Sequence, residues 1–415
     1  YRLEYEGKTR EEEILATEPA RLRRVLEIGG EPANRICFGD NLRVLRSLLD
    51  DPQVRGGVRL VYIDPPYATR SRFESRDQDH AYEDLLAGSR YLEFLRKRLV
   101  LMRELLAADG SIYVHLDDKM AFPVKVLMDE VFGPGNFRNW ITRKKCNPKN
   151  YTRKTFGNVA DYVLFYSRSD RYVWNQQFEP LDAKGSEREY RHVEEGTGRR
   201  YMKVPVHAPG VRNGETGREW KGMMPPPGKH WQYRPSTLDE MDARGEIVWS
   251  DSGNPRRKVY LDQRPGVAVQ DVWMDFRDAH NQNVRITGYP TEKSPDLLRR
   301  IISASSNPGD LVLDAFAGSG TTAAVAEEMG RRWLAVDDSP LALRTMIQRL
   351  AAGSERMGDF VNGKGGRAKG PGSFDTRRVL RSGLSVYTED SPHLEPITDE
   401  QVRGWEALLR VALTV

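Results

Sequence analysis

The stretch Leu311-Val312-Leu313-Asp314-Ala315-Phe316-Ala317-Gly318-Ser319-Gly320-Thr321-Thr322 decides the fold. A short apolar run ends in a carboxylate, two glycines follow, and a helical pattern starts at Thr321. Glycines at a strand-to-helix turn let a ligand approach the backbone, and the helix start offers free N–H groups to it. Downstream, Thr321 to Met329 reads as a helix, Arg332 to Val336 as a strand stopping at Asp337, and Pro340 to Ala351 as a further helix. Upstream, Pro295 to Ser305 is helical. Strand–helix–strand units at this spacing predict a parallel sheet.

Asp337 closes the second strand, where a carboxylate can accept both ribose hydroxyls of an adenosine, so the loop points to a nucleoside cofactor. The loop lacks the Gly-Lys-Ser/Thr ending of a phosphate-binding P-loop. Gly318-x-Gly320-x-x-Ala323 also satisfies a relaxed dinucleotide fingerprint, which keeps a nicotinamide or flavin cofactor, and a nicotinamide-dependent dehydrogenase, open at this point. A tight turn without a ligand is the third reading.

The same grammar recurs near the N-terminus. Asn34 to Asn41 reads as a strand ending in a Gly-Asp turn, with a helix over Leu42 to Leu49. Val58 to Ile63 is a compact β-branched strand that must stop at Asp64-Pro65-Pro66-Tyr67, because proline has no N–H for the ladder. Arg90 to Leu106 predicts an amphipathic helix closed by Ala108-Asp109-Gly110, Ser111 to Leu116 a third strand, and Ile141 and Ala160 to Tyr166 two more. Between Ser169 and Val284 periodicity fades while Gly, Pro and Trp become frequent, which predicts an inserted module. Gly363 to Gly372 has linker composition, and a short helix follows Thr398.

No apolar run spans a bilayer and the first residues lack a signal-peptide core, so the chain reads as cytoplasmic. Cys37 and Cys146 are the two cysteines, and with scattered histidines they give no metal-ligand spacing. A net charge of +4 does not by itself argue for nucleic acid; Arg138 to Lys154 holds seven Lys or Arg and no acid, which reads as a solvated basic loop, or as a polyanion-facing surface once other residues argue for a nucleic-acid activity.

Asp64-Pro65-Pro66-Tyr67 suits one chemistry well. An exocyclic amine on a base is a poor nucleophile because its lone pair is delocalised. A carboxylate accepting one N–H and a backbone carbonyl accepting the other pull that nitrogen toward tetrahedral geometry for attack on a sulfonium methyl. Asp64 and the Pro65 carbonyl are placed to do this, Pro66 stiffens the turn, and Tyr67 offers a ring for an extruded base.

Asp64-Pro65-Pro66-Tyr67, Asp314 to Thr322, and Tyr289-Pro290-Thr291-Glu292-Lys293 resemble motifs IV, I and X of the amino-methyltransferases of bacterial restriction-modification systems. Their order resembles the β group, and Tyr82-Glu83-Asp84 with Trp231 to Phe276 look like the modification subunits of type III systems. The resemblance implies a Rossmann-like α/β S-adenosylmethionine-dependent methyltransferase fold, circularly permuted, with a mostly parallel seven-stranded sheet. Leu311 to Asp314 would be its first strand, Arg332 to Val336 its second, and Ile36 to Gly39 its third, supplied from the other end of the chain.

Residue by residue, the cofactor contacts implied are Phe316, Ala317, Gly318, Gly320 and Thr321 at the loop, Asp337 at the ribose, Asp40 at the adenine, and Thr291 and Lys293 near the methionine end. Asn41, Asp64, Asp314, Ser319 and Thr322 complete that set. Catalysis falls to Asp64, Pro65, Pro66 and Tyr67. Tyr289 and Glu292 depart from the family's usual His and Gln. The implied layout is an N-terminal extension (1–32), a catalytic half (33–168), a target-recognition module (169–284), a cofactor half (285–352), and a linker with C-terminal extension (353–415).

Double-stranded DNA is the implied partner, contacted by Arg143, Lys144, Lys145, Lys149, Arg256, Arg257 and Lys258. Relatives of this kind also form homodimers and work beside a separate restriction endonuclease. Asp at the first motif position, where cytosine-N4 enzymes of the family more often carry Ser, favours adenine N6, with cytosine N4 the alternative.

Overall fold

A computed structural model describes residues 2–30, 34–66, 80–147, 154–276, 285–286, 289, 292–352, 355–356 and 380–414. Tyr67, Lys149, Thr291 and the glycine-rich 363–372 segment lie outside them, as do the side chains of Tyr82, Glu83 and Asp84. The chain divides into two compact units, one formed by 1–175 with 270–415 and the other by 176–269.

The first unit is built on a sheet of ten strands among the described residues: β1 (Leu22–Ile28), β2 (Asn34–Phe38), β3 (Val58–Ile63), β4 (Leu106–Leu116), β5 (Phe137–Lys144), β6 (Ala160–Ser167), β7 (Val272–Trp273), β8 (Leu311–Asp314), β9 (Arg332–Asp337) and β10 (Leu384–Glu389). Their order is β1-β10-β2-β9-β8-β3-β4-β6-β5-β7. The expected permutation is present: β9 pairs in parallel with β8 on one side and with β2 on the other, in the register Ala335↔Ile36 and Val336↔Cys37. The strands from β10 to β4 run parallel, whereas β6 is antiparallel to both its neighbours. Every residue of β8 is buried, as are five of the six of β3, as strands covered on both faces require.

Seven of these strands are the expected ones. The other three flank them: β7 pairs with β5, and β10 lies between β2 and the antiparallel β1. β10 does more than extend an edge. The Glu389 carboxylate, 4% exposed, accepts from the Asp40 N–H at 2.8 Å and from Arg43 at 2.5 Å, fastening the turn after β2.

Two boundaries differ from the sequence expectation. The long helix runs His80–Leu105, and β4 begins at Leu106, where Ala108-Asp109-Gly110 was expected to close the helix. Register shifts between Val58 and Leu60 absorb the extra residues, and Gly110 is needed there because a Cβ would meet the Val58 carbonyl at 2.9 Å.

The second unit holds a four-stranded antiparallel sheet, Ile247–Trp249, Pro255–Tyr260, Arg200–Pro205 and His192–Val193 in that order, and a small core around Val206, Trp220, Trp231, Leu238 and Met241. Strand alternation separates its basic run. Arg256 and Lys258 share a face with Lys203 and Tyr201, while Arg257 points to the other face, its guanidinium 5.6 Å from the Tyr233 ring centroid.

Candidate active site

A cavity of about 300 Å³ opens at the carboxyl ends of β3, β8 and β9, the side on which parallel α/β sheets bind ligands. Asp64, Asp314 and Asp337, one from the end of each strand, line it. Its size is at the lower end for small-ligand sites.

The glycine loop forms one wall. Asp314 is 4% exposed, and its two oxygens accept from the Phe316 N–H at 3.0 Å and the Thr322 hydroxyl at 2.6 Å. Burial pushes its carboxyl up to about 7, with the neighbouring charges of Asp64 and Asp337 adding, against the two hydrogen bonds. Asp337 accepts from the Gly318 N–H at 2.8 Å and the Ser339 N–H at 2.9 Å, so it braces the loop as well as facing the cavity. Gly318 and Gly320 have φ of 50° and 73°. A Cβ on Gly320 would meet Met346 Cγ at 2.6 Å, so glycine is required on both counts.

Behind the loop, Arg349 donates from Nε to the Ser319 carbonyl at 2.8 Å and pairs with Glu292. Both residues are 3% exposed. The departure of Glu292 from the family pattern is therefore matched by a buried cation on the helix Pro340–Ala352.

On the opposite wall, Asn41 donates to the Ala315 carbonyl at 2.7 Å and accepts from Arg98. The Arg98 guanidinium lies 3.6 Å from the Phe94 ring centroid, and Phe94 packs near Phe316. Burial lowers Arg98 to about 10, opposed by the charges of Asp40 and Asp338.

At the end of β3, Asp64 Oδ2 lies 2.8 Å from Lys293 Nζ. Its other oxygen, Oδ1, is buried and has no hydrogen-bond partner among the described residues. Tyr62, two residues earlier, lines the cavity with its hydroxyl 2.9 Å from His115 Nδ1.

The cavity thus gathers Asn41, Asp64, Pro66, Lys293, Asp314, Phe316, Ala317, Gly318, Ser319, Thr321, Thr322 and Asp337. Three expected residues are not in its lining. Gly320 serves the turn; Asp40 caps the helix Asn41–Leu48 through Leu42 at 2.8 Å and meets Arg98 at 3.2 Å; Pro65 lies between two lining neighbours. Sequence reasoning missed Tyr62, Phe94, Arg98, Leu298, Asp338 and Ser339. For Arg98 a signal existed, a basic residue among the apolar positions of a long helix.

One DNA contact is corrected. Arg143 sits on β5, where alternation turns it inward with Ile141; it is 0% exposed, bonded to Asp161 at 2.7 Å and to the Phe276 carbonyl at 2.6 Å. A guanidinium enclosed in this way has nothing left for a phosphate. Lys144 and Lys145 are partly exposed, Arg256 is exposed, and Lys258 is paired with Glu194 at 2.7 Å.

No group of acidic, His or Cys residues fit for a metal occurs among the described residues, and none of their helices is long and apolar enough to cross a membrane.

Over residues 58–348 the chain matches the DNA methylase family. The type II methyltransferase M.EcaI of Enterobacter cloacae is 46% identical over 368 residues, which cover 87% of this chain and 80% of that enzyme. The Mod subunit of the type III restriction-modification enzyme StyLTI of Salmonella typhimurium is 27% identical over 331 residues, covering 70% of this chain and 49% of the subunit. This chain therefore spans about half the length of that subunit. Among solved structures, the cytosine-N4-specific PvuII DNA methyltransferase is similar with a TM-score of 0.41 and 15% identity, covering 76% of this chain and 86% of that one. With most of its length matched to the family and 46% of 368 aligned residues identical to those of a methyltransferase, the chain belongs to the DNA methylase family.

Proposed function

We propose that the protein transfers a methyl group from S-adenosylmethionine to adenine N6 of a base flipped out of duplex DNA. The observation that carries this reading is the bare, buried Oδ1 of Asp64 beside a cavity that the glycine loop completes. A buried carboxylate oxygen without a donor is costly, and a base amine supplies the missing N–H.

The residues present fit the cofactor. Gly318 and Gly320 leave the loop backbone open to a ligand, Asp337 faces the cavity at the end of β9, and Phe94 and Phe316 offer apolar walls. S-adenosylmethionine, when bound, supplies a methyl group on a sulfonium. Asp64 Oδ1 and the Pro65 carbonyl each accept one amine hydrogen and orient the nitrogen lone pair, while Pro66 fixes the turn that holds them. Tyr67 is assigned to stacking on the flipped base. Asp at position 64 favours adenine.

The second unit is assigned to target recognition, with Arg256 and Lys258 on its DNA-facing side and Lys144 and Lys145 as further phosphate contacts. The names of the relatives support a place in restriction-modification; a homodimer, and cleavage by a separate endonuclease, belong to the same reading. Nucleoside digestion of DNA from cells producing the protein, followed by mass spectrometry, tests the base. N6-methyladenine is expected; N4-methylcytosine alone would replace adenine by cytosine, for which the same amine geometry serves.

A further inference from the structure

Lys293 was expected at the methionine end of the cofactor, yet its ammonium is 2.8 Å from the carboxylate of Asp64. It is 8% exposed and lines the cavity just before the helix Pro295–Ser305. A second buried carboxylate belongs to the same sheet. Asp161 on β6 is 2% exposed, 2.7 Å from Arg143 and 2.9 Å from His115 Nε2. Burial alone would raise the Asp161 carboxyl, but the charges of His115, Arg143 and Lys293 outweigh it and hold the group at about 2, so it stays ionised.

These contacts reach the Asp64 turn from two directions. One is the Lys293 ammonium itself, on Asp64 Oδ2. The other runs through His115 to the hydroxyl of Tyr62, two residues before Asp64 on the same strand. A carboxylate free to turn about its last bond would present either oxygen to the cavity. With Oδ2 held by a cation, the carboxylate is fixed about that bond and Oδ1 is the oxygen left without a donor.

We propose that Lys293 is a positioning residue for Asp64, and that it holds Oδ2 so that Oδ1 accepts a hydrogen bond from the amine. This rests on the methyl-transfer reading. It differs from a cofactor-binding role in what it makes measurable. A misplaced acceptor slows the chemical step, because errors of about 1 Å in such geometry cost on the order of 10²-fold. Loss of a cofactor contact weakens cofactor binding.

The experiment compares Lys293→Met, Lys293→Arg and the unaltered protein. Calorimetry gives the Kd for S-adenosylmethionine, and transfer of labelled methyl to unmethylated genomic DNA at saturating cofactor gives kcat. For Lys293→Met we expect a kcat lower by about 10²-fold with Kd within about threefold of the unaltered value, and partial recovery of kcat in Lys293→Arg, whose guanidinium can also hold one oxygen. A Kd weakened by more than about tenfold with kcat retained at saturation would return Lys293 to the cofactor and overturn the proposal. If Lys293→Met does not fold, Lys293→Gln, which loses the charge and keeps a polar head, carries the same test. No transfer by the unaltered protein would overturn the methyltransferase reading itself, and this inference with it.

Discussion

Asp314 and Asp64 end neighbouring strands of one sheet and face one cavity, yet their surroundings are opposite. Both oxygens of Asp314 are occupied by its own loop, through Phe316 and Thr322. Asp64 has one oxygen on Lys293 and the other bare. The first carboxylate holds a fold element together; the second keeps one oxygen without a donor among the described residues. Strand-end carboxylates look alike in sequence, and the difference lies in which donors the rest of the chain brings to them.

The largest test of that contrast is Asp64→Ala. Removing the group assigned to the reacting amine should lower methyl transfer by at least about 10³-fold, the scale for a single electrostatic contact at a reacting centre. The affinity for S-adenosylmethionine should be retained, while Tm falls because the buried Lys293 ammonium loses its carboxylate. A variant that transferred methyl groups at more than a tenth of the unaltered rate would put Asp64 on the same structural footing as Asp314.

The glycine-loop side should respond in stability instead. Arg349→Met leaves Glu292 as a buried carboxylate without its cation and takes Nε from the Ser319 carbonyl. Breaking a buried pair from one side costs about 3 kcal/mol or more, which lowers Tm by on the order of 10 °C in a domain of this size. Replacing both partners, Glu292→Gln with Arg349→Met, should restore part of it. Differential scanning calorimetry reads all three proteins; an unchanged melting point in the single variant would show that the loop is held by other contacts.

What was legible follows the range of each signal. The β8 to β9 turn, the strand before Asp64 and the permuted β2 are local patterns of apolar runs ended by Gly, Pro or Asp, and they can be read in place. β10 could not be read in this way: Leu384-Ser385-Val386-Tyr387-Thr388-Glu389 is an ordinary alternating run, and only its pairing with β2 and β1 reveals it as sheet. Arg143 misled because seven basic residues within 17 positions read as a solvated loop, while strand alternation buries one of them. Glu292 looked like a departure without reason because Arg349, its partner, lies 57 residues away. Partnerships across that distance carry no periodicity.

The smallest expected effect is also the most specific to Asp314. Its carboxyl, about 7 in the fold against 3.8 in an unstructured chain, binds more protons folded than unfolded between those values. Stability therefore falls as pH rises from about 4 to about 7 and this contribution is level above that. Asp314→Asn removes the ionisable group while keeping an oxygen for the Phe316 N–H; the Thr322 hydroxyl can rotate to accept from the new amide. The variant's Tm relative to the unaltered protein should rise between pH 5 and pH 8, by a few degrees if the difference is on the order of 1 kcal/mol, since the carboxylate borders an open cavity and is partly relieved there. The sign separates the two ends of the cavity. A group engaged by its loop and desolvated responds to pH through stability, whereas the loss of Asp64 is expected to show in methyl transfer. A pH-independent difference between the variant and the unaltered protein would mean that Asp314 is ionised throughout, and that its two hydrogen bonds outweigh its burial.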